Sequence, residues 1–116
     1  MRHVLAAAFA LALALPAMAQ DGQALFNVQC KSCHTLTGAS SPAGPGLKGV
    51  AGRKIAGAPG FAYSAGLKAK TGSWTDANLD AYLANPAGFA PGTRMFARVA
   101  QPAARSAIIA YLKTQP

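Results

Sequence analysis

Cys30-Lys31-Ser32-Cys33-His34 is the stretch on which the reading of this chain turns. It follows the pattern C-x-x-C-H, in which two thiols stand three positions apart and a histidine follows at once. On one helical turn the thiols can add to the two vinyl groups along one edge of a porphyrin, and the histidine then lies beneath the iron as an axial nitrogen ligand. Other chemistries use cysteines at this spacing. A zinc site wants four ligands, whereas beyond Cys30, Cys33 and His34 the chain after the leader offers only three scattered acids. A thioredoxin-like redox pair expects a βαβ context, and no alternating strand pattern is present. A disulfide between the two would close a tiny loop, constrain the unfolded chain very little, and leave His34 unexplained.

Upstream of the motif, Arg2 and His3 give a short basic start, Val4 to Leu15 is an unbroken apolar run, and Ala17-Met18-Ala19 offers small residues for cleavage. The run is short of the ~20 apolar residues that span a bilayer, and the three parts together make a secretory signal peptide. The expectation is a leader over 1–19, cut after Ala19, and one domain over 20–116, exported to the periplasm, monomeric and without stable membrane insertion. Cleavage removes His3, Met1 and Met18. His34 and Met95 are then the sole histidine and methionine. A lone methionine is commonly a flexible core filler. Met95, however, falls in the loop segment Pro91-Gly92-Thr93-Arg94-Met95-Phe96, where a thioether can reach the sixth position of an iron.

Loss of Arg2 takes the net charge from +8 to +7, and the only acids are Asp21, Asp76 and Asp80. A basic surface suits nucleic acid, an anionic membrane or an acidic protein. No basic stretch is interleaved with aromatics in the manner of a nucleic-acid platform, and an exported protein meets little nucleic acid, so none is expected as a partner. A domain this small buries a modest core and commonly needs a staple.

The helical pattern is discontinuous. A first helix is read over 23–30. The segment 38–60 is crowded with glycine and proline, a loop too long for a compact domain unless it wraps something large and rigid. A short helix is read over 64–70. Thr75 is a good N-cap for a helix over 76–84, with Leu79, Tyr82 and Leu83 on one face and Pro86 as its stop. Residues 87–99 read as a second loop, and Pro102 opens a last helix to about Lys113 with Ala104, Ile108, Tyr111 and Leu112 as its apolar stripe. The fold class is all-α: three to four short helices and long loops around one covalent haem.

The matching pieces run in order: CKSCH, then GPGLKGVAGRKIAGAPGFAYSAGLK from Gly44 to Lys68, Trp74, YLANP, PGTRM and IIAYLK. With them, nearly all of 20–113 resembles the class I cytochrome c family, in its mitochondrial-like bacterial branch. The resemblance implies one haem c bound covalently through Cys30 and Cys33, with His34 and Met95 as axial ligands. It implies that the Pro45 carbonyl accepts a hydrogen bond from the His34 ring, and that Leu47 and Leu83 pack on the haem faces. Tyr63, Ser64, Trp74 and Thr93 match positions around the haem propionates, with Arg53 nearby, and Tyr82 matches a position near the Met95 sulfur. Gly22, Phe26, Ile108 and Tyr111 match a crossing of the first and last helices.

The chain also departs from that family. The stretch from His34 to Pro45 is one residue shorter than in the mitochondrial proteins, Leu67 replaces a frequent asparagine, and Phe96 directly follows Met95 where the aromatic usually comes one place later. Gln29 and Ala87 occupy two places where a docking lysine is familiar.

The function implied is that of a one-electron carrier and not an enzyme. It would exchange electrons with acidic-faced redox proteins such as a quinol–cytochrome c oxidoreductase, a terminal oxidase or peroxidase, or a photosynthetic reaction centre. A gas sensor and a peroxidase-like enzyme are the rivals. Both require Met95 off the iron, and neither finds a second histidine or a distal acid/base after cleavage.

Overall fold

A computed structural model describes residues 21–116. The leader expected over 1–19, and its cleavage site, lie outside the described residues. Five helices follow in order: α1 (Gly22–Gln29), α2 (Ala65–Lys68), α3 (Asp76–Ala84), α4 (Pro86–Phe89) and α5 (Pro102–Lys113).

Each helix begins where its local chemistry allows. The Asp21 carboxylate accepts from the amides of Gln23 (3.0 Å) and Ala24 (3.2 Å), opening α1 one residue earlier than the sequence pattern suggests. Ser64 caps α2 by accepting from Leu67 N (3.3 Å), and Thr75 caps α3 by accepting from Asn78 N (3.1 Å). α4 corrects the loop expected over 87–99. Pro86 ends α3, yet it also starts a new turn, because proline lacks only an amide that a first helical position leaves unpaired anyway. The Asn85 side chain caps that turn by accepting from Gly88 N (3.2 Å). α5 opens with Pro102 and carries Lys113 in its last turn, where a cation complements the helix dipole.

α1 and α5 cross at the expected place. A Cβ on Gly22 would come 2.1 Å from the Ala107 carbonyl oxygen, so glycine alone permits the approach. Beside it, Phe26 and Ile108 are buried, and the Phe26 and Tyr111 ring centroids lie 5.7 Å apart. α3 packs on α5 and is tied to it by Arg105–Asp80 (2.7 Å) and Lys113–Asp76 (3.0 Å). The half-buried Arg105 also donates to the carbonyls of Val99 and Ala100, which fixes the chain entering α5.

The long loop 38–60 has no continuous ladder, but its backbone groups are paired at intervals. Leu47 N donates to Thr35 O (2.9 Å), Gly49 N to Gln115 O (2.7 Å), Ile55 N to Gly72 O (3.1 Å) and Trp74 N to Arg53 O (2.7 Å). The loop therefore curves from the end of α1 past the last residues of the chain to the start of α3. Among the described residues, no helix is long and apolar enough to cross a membrane.

Candidate haem site

Between α1, α3, α5 and the two long loops lies a cavity of about 510 Å³, within the ~300–1,000 Å³ typical of small-molecule and cofactor sites. Its walls are mainly apolar. Every residue marked out from the sequence lines it: Cys30, Cys33, His34, Pro45, Leu47, Arg53, Tyr63, Ser64, Trp74, Tyr82, Leu83, Thr93 and Met95.

The cysteines and the histidine sit on the turn that closes α1. Cys33 N and His34 N both donate to Cys30 O, at 3.1 and 3.0 Å, so the motif is wound tightly at the helix end. Burial pushes the Cys30 thiol up to about 11, which keeps it protonated at neutral pH. Cys33 is exposed. The His34 Nδ1 lies 2.9 Å from the Pro45 carbonyl oxygen. A carbonyl only accepts, so the proton sits on Nδ1 and Nε2 keeps its lone pair for a metal. Sequence reasoning missed the residue that allows this contact. A Cβ on Gly44 would come 2.9 Å from both Nδ1 and Cε1 of His34, and 2.6 Å from Cys33 O. The signal was present in the run Gly44-Pro45-Gly46.

Met95 is half-buried and packs against the core. Its amide donates to Thr93 Oγ1 (3.4 Å), and Thr93 is buried with its hydroxyl 2.7 Å from that of Tyr82. Burial raises the Tyr82 phenol above its ordinary range, the hydrogen bond with Thr93 pulling it the other way. Arg94 holds the same loop from its other side. Its guanidinium donates to the Ala62 carbonyl and lies 5.7 Å from the centroid of the Phe61 ring. The clasp joins the Met95 loop to Phe61 and Ala62, a link that sequence spacing does not reveal.

The polar groups of the cavity suit an anion. Arg53 donates through Nη1 to Gly46 O (3.0 Å) and Lys48 O (3.3 Å), but its Nε is buried without a partner. Such a group is costly unless a ligand or water completes it. The Tyr63 hydroxyl accepts from Ala58 N (3.1 Å) and Ser64 Oγ from Leu67 N, which leaves both hydroxyl protons to donate. Trp74 adds an indole N–H from a stack with Phe89, whose ring centroid is 5.7 Å away. An apolar body with carboxylates at one end, bound next to two thiols, a free imidazole lone pair and a thioether, fits this donor set. Haem has that composition.

The comparisons with known proteins agree with the site. The family model described as cytochrome c matches residues 19–116. A curated relative, cytochrome c-type cyt cy of Rhodobacter capsulatus, is 43% identical over 99 residues; the match covers 84% of this chain and 49% of that protein, so the chain spans about half its length. Cytochrome c of Ulva intestinalis is 44% identical over 94 residues, covering 79% of this chain and 85% of that one. Among solved structures, cytochrome cH from Methylobacterium extorquens superposes with a TM-score of 0.75 at 41% identity, covering 82% of this chain and 99% of that one. With its fold, its CxxCH turn and these matches taken together, the chain belongs to the class I c-type cytochrome family, whose members are electron carriers with one covalent haem c and not enzymes.

Proposed function

We propose that this chain is an exported one-electron carrier of the periplasm, in which Cys30 and Cys33 would hold the haem covalently and His34 and Met95 would ligate its iron. The observation that carries the reading is the His34–Pro45 contact. It commits Nδ1 to a carbonyl and leaves the Nε2 lone pair available in the cavity that Met95 also lines. When bound, the haem supplies an iron that cycles between two oxidation states. Ligation by histidine and a soft thioether would favour the reduced state.

The chain's own residues do the rest. Leu47 and Leu83 exclude water from the cavity walls. Arg53, Tyr63, Ser64 and Trp74 would offer donors to the propionates, and the Tyr82–Thr93 pair steadies the loop that carries Met95. Residues 1–19 act as the cleaved leader and 20–116 as the carrier domain. The partners are acidic-faced redox complexes such as a quinol-oxidising complex and a terminal oxidase.

The test is maturation in a bacterial periplasm. The product should begin at Gln20 by mass spectrometry and keep its haem colour on a denaturing gel. Cys30→Ala with Cys33→Ala should remove the colour and leave a poorly folded chain, since the haem fills much of the core. A well-folded, colourless wild type would overturn the proposal.

A further inference from the structure

The Pro45 carbonyl faces the His34 ring, yet a proline has no amide with which to fix its own position. The chain clamps it from both sides. Before it, Ser41-Pro42-Ala43-Gly44 closes a turn, with Ser41 N donating to Gly44 O (3.0 Å) and Gly44 N to Ser41 O (3.2 Å). After it, Gly46 N reaches across that turn to Ser40 Oγ (3.1 Å). The Ser40 hydroxyl donates in its turn to Pro59 O (3.3 Å), 19 residues away in the chain. Ser40 is half-buried, and Gly44 and Gly46 are buried. A Cβ on Gly46 would come 2.5 Å from Thr37 O and 2.7 Å from Ala39 O, so Gly46 is pressed against the residues that lead into Ser40.

The Pro45 carbonyl and the Gly46 amide are the two ends of one peptide unit. That unit is planar, so fixing the direction of its N–H fixes the direction of its C=O. Donors and acceptors then run one way without a break: His34 Nδ1 to Pro45 O, Gly46 N to Ser40 Oγ, and Ser40 Oγ to Pro59 O. Hydrogen bonds linked in this way polarise one another. An amide that donates makes the carbonyl of its own unit a better acceptor, here for the histidine ring. The link between the two loops is a hydroxyl, which can accept and donate at once.

We infer that Ser40 is a positioning residue for the His34 ring: it anchors the peptide that accepts from Nδ1, and thereby sets how strongly the imidazole would donate to the iron. The inference rests on the electron-carrier reading above and deepens it, since the hydrogen bond behind an axial ligand is one lever on reduction potential. Without the hydroxyl, the Gly46 amide loses its partner and the Pro45 carbonyl is a looser and weaker acceptor. The ring is then a poorer base toward the metal. A poorer base stabilises ferric iron less, so the potential rises.

The experiment compares the haem-loaded wild type, Ser40→Ala and Ser40→Thr. In the reduced protein, NMR follows solvent exchange of the His34 Nδ1 proton and of the backbone amides, and a redox titration gives the potential. The wild type should show a protected Gly46 amide. Ser40→Ala should exchange the Nδ1 proton about tenfold faster, the scale of one net hydrogen bond, and have a higher potential. Ser40→Thr keeps the hydroxyl and should stay close to wild type in both. The amides of Ile108 and Leu112 in α5 should keep their protection in both variants. An unprotected Gly46 amide in the wild type would overturn the inference with no variant needed. So would wild-type exchange or an unraised potential in Ser40→Ala, or a Ser40→Thr that behaves as Ser40→Ala does. An equal loss of protection throughout α5 would also overturn it, by making the serine a support of the whole fold. All these outcomes are read on protein that holds its haem. A colourless wild type would instead overturn the carrier reading beneath them.

Discussion

The Tyr82 hydroxyl lies 2.7 Å from Thr93 Oγ1, and the same threonine oxygen accepts the Met95 amide at 3.4 Å. A residue of α3 is thereby joined through one buried hydroxyl to the loop that carries the proposed sulfur ligand. Tyr82→Phe removes one of the two hydrogen bonds at the buried Thr93 hydroxyl and leaves that with the Met95 amide, at a cost of about 0.5–1.5 kcal/mol. The denaturant midpoint should fall accordingly, and adding Thr93→Val, which also strips the acceptor of the Met95 amide, should lower it further. The pH dependence has a definite sign. Burial raises the phenol above its ordinary 10.0, so folding favours the protonated form. That contribution is whole below the ordinary value and is lost as pH climbs through the folded one. Stability measured against pH should therefore fall less steeply above about 10 in Tyr82→Phe than in wild type. Parallel alkaline profiles would contradict this placement of Tyr82.

Gly44 makes a second expectation concrete. A Cβ there meets the His34 ring at 2.9 Å and the Cys33 carbonyl at 2.6 Å. Gly44→Ala should push the ring off Pro45 and cost about 1–3 kcal/mol as overpacking. A hydrogen bond from Nδ1 makes the imidazole a stronger donor to the metal, so weakening it should raise the reduction potential. Redox titration beside thermal melting separates the two effects. An unchanged potential in a destabilised variant would make Gly44 a packing residue only.

The basic surface has its own signature. Lys31 lies between the two cysteines and is exposed, and opposite charge on a partner raises association rates most at low salt. Electron transfer to an acidic-faced oxidase should slow steeply as salt shortens the screening length to about 8 Å at physiological strength. In Lys31→Glu the low-salt rate should drop and the salt dependence flatten, with the visible spectrum unchanged. A flat salt profile in the wild type would remove steering from the account.

The parts of this molecule that were legible in the sequence are those written in short-range chemistry. The helix over 76–84 shows in Thr75, Asp76 and the face of Leu79, Tyr82 and Leu83, and α5 in Pro102 and its stripe. α4 was not legible, because proline is both a stop for the helix before it and an ordinary first residue for the helix after it. Only the Asn85 cap tells the two apart. In the site, the residues that line the cavity were legible through the resemblance that joined separate segments. The Arg94–Ala62 clasp and the Gly44–His34 contact were not. Both depend on how loops distant in sequence or tightly wound come together, and no periodicity records that.

The carrier reading requires both His34 and Met95 to ligate the iron. Ferric haem with a methionine sulfur ligand has a weak far-red band from sulfur-to-iron charge transfer, which disappears when the sulfur leaves. The far-red absorption of the oxidised, haem-loaded protein is therefore the most direct measurement, taken on wild type and on Met95→Ala. The band should be present in the wild type and lost in Met95→Ala, with a lowered reduction potential and newly favourable carbon monoxide binding to the reduced protein. A wild type without the band, or a Met95→Ala variant that keeps it with wild-type potential and ligand affinity, would contradict the account.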